Sequence, residues 1–264
     1  MVNRNYLEQK TAMDKNGKVS TSLINGIATI TFAHPKSNSL SSRMVREVTG
    51  AIEKFAEDKH AHVIVIRSDG DKAFCAGASF DELLEIKDLK TGKEFFMGFA
   101  RLINAMRKCP KFIVARVQGK AVGGGIGIAA AADYTMASNE ASVRLSELML
   151  GIGPFVVGPA VERKIGKTSF ITMSIDAEWH DAFWAKQNGL FTKVFANSHD
   201  LDEAVSALVK KIAGCNLEAI SQMKKVFWEG TENWDELLEQ RAEISGKLVL
   251  SDFTKNYIKA FKDK

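Results

Sequence analysis

Two glycine-bearing segments constrain the fold of this chain more than any other feature, Phe74–Ser79 (FCAGAS) and Gly123–Gly127 (GGGIG). Each follows an apolar run typical of a β-strand and leads into a run typical of an α-helix. A chain that turns from strand into helix leaves backbone N–H groups free at the helix start. A pair of such donors can bind a developing negative charge. The two segments therefore predict an α/β fold with a candidate oxyanion site.

The rest of the N-terminal half fits the same fold class. Val63–Ile66 and Phe112–Ala115 are continuous apolar runs, typical of strands buried on both faces. Asn25-Gly26 between two alternating runs predicts a β-hairpin. From Phe155 onward nearly every segment is interpreted as helix. We therefore predict an α/β core over residues 1–198 and a helical region over residues 199–264.

Neither glycine segment matches a nucleotide-binding motif. Ile128 occupies the position where a GxGxxG motif needs its last glycine, and no GK[ST] sequence follows. A tight turn with close helix packing remains an alternative explanation for Gly123–Gly127. The segment alone does not decide between a binding site and a structural turn.

The composition excludes several functional classes. The chain has 264 residues and a net charge of +4, without a basic cluster interleaved with aromatic residues, so we expect no nucleic-acid partner. Three widely spaced cysteines do not form a disulfide framework, and five histidines show no metal-ligand spacing, so no metal is expected. No apolar run is long enough to span a membrane. The chain start, Met1–Asn5, lacks the apolar region of a secretory signal, so a cytoplasmic location is expected.

Several further segments occur in a fixed order around the two glycine segments. Together they resemble the enoyl-CoA hydratase/isomerase (crotonase) family over most of the chain. They are Asn38–Leu40, Lys72–Ala78, Val117–Gly125, Glu147–Ile152, Asp181–Leu190 and Ala260–Phe261.

The resemblance implies a core of repeated ββα units arranged as a spiral, with a C-terminal helical trimerisation region. It implies a homotrimer or a dimer of trimers. The implied substrate is an acyl-CoA thioester, and no separate cofactor is needed because coenzyme A enters as part of the substrate.

The resemblance also assigns candidate site residues. The backbone N–H groups of Ala78 and Gly124 match the family's oxyanion-hole positions, where they would hold the thioester oxygen as it becomes an enolate. Lys72 would meet phosphates of coenzyme A, although a solvated lysine is an equally good interpretation. The remaining substrate-binding candidates are Ala76, Gly77, Gly123 and Phe155.

The acid–base residues distinguish the reactions of the family. Glu147 matches the second glutamate of the hydratase pair, whereas the first would fall at Gly127, which has no side chain. Without the resemblance, Glu147 would be interpreted as a carboxylate on a helix surface. One glutamate can still remove a proton from C2 of a 3-enoyl-CoA and return it to C4. An apolar pocket, with Leu148 and Phe155 among its walls, would raise the pKa of Glu147 for this task.

We therefore expect a Δ3,Δ2-enoyl-CoA isomerase. A hydratase or related lyase that uses the same glutamate is the first alternative. A non-catalytic acyl-CoA-binding trimer is the alternative from another class, and the missing carboxylate at Gly127 motivates it.

Other residues are given structural interpretations. Cys75 is interpreted as a buried structural thiol rather than a nucleophile, and Ser79 as a helix cap. Asp81 and Glu85 are interpreted as a solvated first turn of a helix, although either could assist the reaction. The sequence leaves open whether one apolar set is core or acyl-tunnel wall; that set is Phe95, Phe96, Phe99 and Leu102.

Overall fold

The computed structural model of the chain describes residues 15–262, with side chains for residues 15–260. The chain start, from which we expected no secretory signal, lies outside these residues. Within the described range, no helix combines the length and apolar character needed to cross a membrane.

Ten strands are present in the described part of the chain, and most are short. The hairpin predicted around Asn25-Gly26 is confirmed: its strands pair antiparallel from Lys18↔Ala33 to Ile24↔Ile27. The strands are β1 (Lys18–Ile24), β2 (Ile27–Ala33), β3 (Val63–Ser68), β4 (Ala73–Cys75), β5 (Ile113–Val117), β6 (Lys120–Val122), β7 (Tyr134–Ser138), β8 (Ser142–Arg144), β9 (His180–Asp181) and β10 (Lys193–Phe195).

Ten helices within residues 15–262 surround these strands. Side-chain caps fix several starts: Ser41 accepts a hydrogen bond from the N–H of Met44, and Ser79 accepts one from the N–H of Glu82. The helices are α1 (Ser42–Glu57), α2 (Phe80–Glu85), α3 (Leu89–Lys108), α4 (Gly124–Ala131), α5 (Gly158–Asp176), α6 (Ala182–Gln187), α7 (Ser198–Ala213), α8 (Leu217–Phe227), α9 (Trp234–Leu248) and α10 (Asp252–Lys262).

The strands form two sheets. The larger has six strands in the order β1-β2-β3-β5-β7-β10, and only its first pair is antiparallel. The smaller has the order β4-β6-β8-β9, with β4, β6 and β8 parallel. Successive strand pairs β3/β4, β5/β6 and β7/β8 each give one strand to each sheet. This repetition is the spiral of ββα units, and the predicted α/β class is confirmed.

Two features of the second half differ from the sequence interpretation. From Phe155 onward we expected helix almost throughout, but β10 adds a parallel edge strand beside β7 and β9 pairs antiparallel with β8. These strands have three and two residues. So short a strand is stabilised by its neighbour in the sheet rather than by its own sequence pattern, which is why periodicity does not reveal it.

The C-terminal helices pack on the α/β core at defined places. Leu201, Val205 and Val209 of α7 pack against Val63 and Val114 on one face of the larger sheet. On the other side, α9 lies against α3. Our expectation that residues 199–264 act in trimerisation stays a prediction.

Candidate active site

Three candidate site residues follow three neighbouring strands of the smaller sheet. Ala78 follows β4, Gly124 follows β6 and Glu147 follows β8. Ala73 pairs with Lys120, and Ala121 pairs with Val143 in the next strand. Because parallel neighbours end at the same edge of a sheet, the three segments emerge side by side. The smaller sheet thus brings together residues that are far apart in the chain.

The backbone around Ala78 leaves its N–H free. In the parallel bridge between Leu40 and Ala78, the N–H of Leu40 donates to the carbonyl of Gly77, and the N–H of Ser79 donates to the carbonyl of Leu40. The N–H of Ala78 therefore faces away from Leu40. Gly77 has φ +89°, a conformation that favours glycine. Within residues 15–262 no acceptor for the Ala78 N–H is found.

The Gly124 N–H is the second free donor, because Gly124 is the first residue of α4 and its N–H has no acceptor inside the helix. The preceding Gly123 has φ +52° and ψ −111°, which turns the chain sharply into the helix. A Cβ atom at Gly124 would lie 2.4 Å from Cε1 of Phe99. The position therefore requires glycine, which brings the backbone close to the cavity.

Glu147 lies in a tight turn after β8, not on the helix surface that its bare sequence context suggested. Its carbonyl accepts hydrogen bonds from the N–H groups of Leu150 and Ile152, at 3.1 and 3.0 Å. Oε1 lies 3.0 Å from the position of a Cβ atom built on Gly123. The turn therefore directs the carboxyl group toward the start of α4.

The carboxyl group of Glu147 is poised for proton transfer. The residue as a whole is partly buried, but its Oε2 atom is shielded from solvent and has no hydrogen-bond partner among the described residues. Burial raises the pKa of Glu147 to about 7, while a hydrogen bond from its own backbone N–H acts weakly in the opposite direction. A pKa near neutrality lets the group both accept and return a proton at physiological pH.

The carboxyl group opens into a narrow inner cavity with a volume of about 80 Å³. Glu147 is the ionisable residue among its described lining residues; the others are apolar residues, glycines, alanines, a proline and two serines. They are Ala76, Gly77, Ala78, Phe80, Leu83, Phe96, Phe99, Val122, Gly123, Gly124, Ser146, Leu150, Ile152, Gly153, Pro154, Phe155, Val156, Val157 and Ser245.

A larger outer cavity, of about 550 Å³, adjoins the inner one and shares walls such as Ala78 and Val122 with it. Its lining carries several charged side chains, whereas the inner lining is mostly apolar. The residues specific to it include Lys36, Arg144, Trp179 and Tyr257. Trp179 is 42% exposed, and the cations of Lys120 and Arg144 lie 5.1 and 5.9 Å from its ring centre.

Sequence reasoning did not select these four residues, because each belongs to a different segment and none forms a motif with its neighbours. Conversely, Lys72 lines neither cavity, and its backbone carbonyl accepts a hydrogen bond from the N–H of Lys120 instead. The fold brings the other substrate-binding candidates, Ala76, Gly77, Gly123 and Phe155, to the inner cavity.

The position of the missing carboxylate is packed with hydrocarbon. A Cβ atom at Gly127 would lie 2.7 Å from Cγ1 of Val157 and 3.9 Å from Cδ1 of Ile103. Gly127 is buried, and Val157 is 5% exposed while also lining the inner cavity. The fold therefore supplies an apolar side chain at the place where the hydratase pattern has its first glutamate.

The other candidate residues lie away from Glu147. Cys75 is fully buried against Gly125, and burial raises the pKa of its thiol to about 12, so it is a structural residue as predicted. Asp81 lines the outer cavity and pairs with Lys36. Glu85 lies in a separate surface groove.

The structure also separates pocket walls from core. Of the apolar set that the sequence left undivided, Phe96 and Phe99 line the inner cavity, whereas Phe95 and Leu102 do not. The expectation that Leu148 contributes to the apolar surroundings of Glu147 is wrong: Leu148 is 48% exposed, because the turn directs it outward.

Comparison with known proteins agrees with this architecture. The family model for enoyl-CoA hydratase/isomerase matches residues 23–264. A probable enoyl-CoA hydratase of Rhizobium meliloti is 30% identical over 75% of this chain and 76% of its own length. A trans-2-decenoyl-[acyl-carrier-protein] isomerase of Streptococcus mutans is 24% identical over 91% of this chain and 93% of its own.

The fold has solved counterparts as well. The crystal structure of an enoyl-CoA hydratase from Bacillus halodurans superposes with a TM-score of 0.85 at 23% identity, covering 92% of this chain and 99% of that one. The family match spans both glycine segments, the turn that carries Glu147 and the C-terminal helices. This chain belongs to the enoyl-CoA hydratase/isomerase family of enzymes.

Proposed function

We propose that this enzyme is an enoyl-CoA isomerase that moves a double bond from C3–C4 to C2–C3 of an acyl-CoA thioester with one glutamate. The supporting observation is the composition of the inner cavity, where Glu147 is the ionisable residue of the described lining. A reaction that returns the proton it removes needs one acid–base group. Addition of water needs that water to be held and oriented as well.

The reaction starts with Glu147 ionised. Its carboxylate accepts a proton from C2 of the 3-enoyl thioester, and the electron pair of the broken C–H bond moves into the carbonyl to form a dienolate. The N–H groups of Ala78 and Gly124 stabilise the negative oxygen. Glu147 then returns the proton to C4, which gives the 2-enoyl thioester without any net gain or loss of atoms. Each oxyanion donor lowers such a barrier by roughly 3–4 kcal/mol.

The apolar contact between Gly127 and Val157 favours this reaction over hydration. A buried water needs about two to four polar partners to be held in place. A second carboxylate at position 127 would supply such a partner, but a Cβ atom there would meet Val157 at 2.7 Å. Glu147 is the ionisable residue of the described inner lining, so return of the proton to carbon is the reaction that its surroundings favour.

We assign the coenzyme A part of the substrate to the outer cavity, which adjoins the inner one and has charged and aromatic residues in its lining. We assign its phosphates to the cations that line this cavity, Lys36 and Arg144, rather than to Lys72. Ala76, Gly77 and Gly123 would border the thioester, and Phe155 the acyl chain. No separate cofactor takes part in the proposed reaction.

Replacement of Glu147 tests the proposal. Glu147→Gln should lower kcat for 3-enoyl-CoA isomerisation by about two to four orders of magnitude and leave binding of the unreactive butanoyl-CoA unchanged. Glu140→Gln is the matched control, because it removes an exposed carboxylate between β7 and β8. Isomerisation at the wild-type rate in the Glu147 variant would remove this residue from the mechanism.

Hydration of a 2-enoyl-CoA is the second candidate function, and the name of the Rhizobium meliloti relative favours it. The Rhizobium meliloti relative is called a probable enoyl-CoA hydratase, whereas the Streptococcus mutans relative is an isomerase of acyl-carrier-protein thioesters. In a hydratase, Glu147 would activate a water instead of shuttling a proton between carbons. Formation of 3-hydroxyacyl-CoA from a 2-enoyl-CoA, without isomerisation of a 3-enoyl-CoA, would favour the hydratase.

We also propose a homotrimer or a dimer of trimers, located in the cytoplasm. Large apolar side chains on α6 and α8 remain exposed in the single chain, and association would cover them. They are Phe183, Met223, Val226 and Phe227. Light scattering coupled to size-exclusion chromatography measures the assembly, and a stable monomer would contradict this proposal.

A further inference from the structure

Phe155 lies between the inner cavity and a second apolar space. On the far side of its ring is a groove of about 360 Å³ along α5, which we call the α5 groove. Pro154 and Phe155 are the two described residues that line both spaces. The other residues of the α5 groove are Gly158, Pro159, Glu162, Phe170, Ile171, Ser174, Ile175 and Arg241.

The backbone holds the Phe155 ring in this position. The N–H of Phe155 donates to the carbonyl of Gly153 at 2.9 Å, which closes a tight turn around Pro154. Gly153 has φ +117°, and a Cβ atom there would lie 2.7 Å from Cε2 of Phe155. The ring is therefore folded back on the glycine, and proline restricts the chain between them. The local backbone geometry of Gly153–Phe155 therefore fixes the position of the ring between the two spaces.

The volumes on the two sides differ in a way that bears on acyl length. A roughly 150 Å³ apolar cavity holds one benzene ring, so the inner cavity, at about 80 Å³, has space for roughly half as many carbons. The α5 groove is several times larger, and Phe170, Ile171 and Ile175 give it apolar walls. A short acyl chain fits within the inner cavity, while a longer one needs the space behind Phe155.

We propose that Phe155 sets the acyl-chain length of the substrate: it restricts the enzyme to short acyl thioesters by closing the inner cavity against the α5 groove. The proposal rests on the proposed function for the identity of the substrate, but it concerns a separate property, the length of chain that binds. Removing the ring joins the two spaces, and the tail of a longer acyl chain then occupies the α5 groove.

The test compares binding of two saturated acyl-CoA thioesters, with four and with twelve carbons, by titration calorimetry. Wild-type enzyme should bind butanoyl-CoA at least about tenfold more tightly than dodecanoyl-CoA, and Phe155→Ala should abolish or reverse this preference. Phe96→Ala is the matched control, because Phe96 lines the inner cavity but not the α5 groove. It enlarges the inner cavity to a similar extent without joining it to the groove, so the wild-type preference should persist.

Two further variants keep the result interpretable. Phe155→Leu replaces the ring with a smaller apolar side chain, so it serves if the alanine variant does not fold. This variant should shift the preference in the same direction by a smaller factor. Ile175→Trp, added to Phe155→Ala, fills the α5 groove and should restore the preference for the short chain. Equal wild-type affinity for both thioesters, or equal effects of Phe155→Ala and Phe96→Ala, would overturn the proposal. Because the ligands are unreactive, failure of the isomerase assignment would leave this result unaffected.

Discussion

The chemistry of the site at the scale of single residues depends on the ionisation of Glu147. Its Oε2 atom is buried without a partner, and burial raises its pKa to about 7. The neutral carboxylic acid is the form that burial favours, whereas abstraction of a proton from carbon needs the carboxylate. The enzyme must therefore lose activity as the pH falls through the pKa of this group.

We expect kcat/KM for 3-enoyl-CoA isomerisation to rise about tenfold per pH unit below pH 7 and to level off above it. The ionised fraction of Glu147 in the free enzyme sets this profile, and its pKa lies near 7 because burial disfavours the charge. Initial rates at low substrate concentration between pH 5 and pH 9 measure the profile. An inflection near pH 4.5, the ordinary value for an exposed glutamate, would show that the group is not desolvated.

A second prediction at the scale of residues concerns the contact between Gly127 and Val157. Gly127→Ala in a helix would ordinarily be stabilising, but here the new methyl group would lie 2.7 Å from Cγ1 of Val157. We expect a loss of roughly 1–3 kcal/mol in the free energy of unfolding. Val157→Ala in the same chain should recover part of that loss, as a double-mutant cycle in urea would measure. A Gly127→Ala variant more stable than wild type would contradict this account of the packing.

At the scale of secondary-structure elements, three short strands position the site, and the sequence pattern does not reveal them. Val63–Ile66 and Phe112–Ala115 were predicted because four apolar residues in a row stand out. The site residues, however, follow β4, β6 and β8, which have three residues each. Segments this short show no period, and their pairing is set by neighbours in the sheet. Sequence reasoning therefore found the two glycine segments and Glu147 but not the sheet that joins them.

The contact between α3 and α9 shows a similar limit. Gly92 lies in the first turn of α3, which begins at Leu89 because Asp88 and Thr91 form a capping box. A Cβ atom at Gly92 would lie 2.6 Å from the carbonyl oxygen of Gly246 in α9. Two glycines so distant in the chain carry no local signal of their contact.

Gly92→Ala should destabilise the protein by roughly 1–3 kcal/mol, because the methyl group meets backbone of α9 that cannot move alone. Gly98→Ala is the matched control on the same helix: its methyl group would lie 3.5 Å from Val45, an ordinary contact. We expect that variant to be as stable as wild type or up to about 1 kcal/mol more stable. Urea unfolding at one protein concentration measures both. Equal effects of the two substitutions would show that the helices do not approach so closely.

At the scale of the whole molecule, the buried carboxyl group of Glu147 lowers the free energy of unfolding. Burial raises the folded-state pKa of Glu147 from 4.5 to about 7. Between these values the folded protein retains a proton that the unfolded chain has lost, so the free energy of unfolding falls as the pH rises. Above pH 7 the loss is complete, and at or below pH 4.5 it is absent. The same desolvation that suits the carboxyl group to catalysis thus weakens the fold.

Glu147→Gln should therefore raise the melting temperature at pH 8 and have little effect at pH 4.5. The gain in the free energy of unfolding at pH 8 has an upper limit of about 3 kcal/mol, which follows from the difference between a pKa of 4.5 and one of about 7. Differential scanning calorimetry at the two pH values measures the difference, and Glu140→Gln serves as the exposed control. A Gln variant less stable than wild type at pH 8 would show that the carboxylate is stabilised by a partner in the folded protein.

Incubation of the purified enzyme with 3-butenoyl-CoA and, separately, 2-butenoyl-CoA in ¹⁸O-labelled water tests the central claim most directly. Mass spectrometry follows the acyl-CoA products. A single glutamate in the inner cavity, with Val157 packed at Gly127, predicts conversion of 3-butenoyl-CoA into unlabelled 2-butenoyl-CoA, and little or no labelled oxygen should enter the product of either substrate. Labelled 3-hydroxybutanoyl-CoA as the main product from 2-butenoyl-CoA, with 3-butenoyl-CoA unchanged, would contradict it.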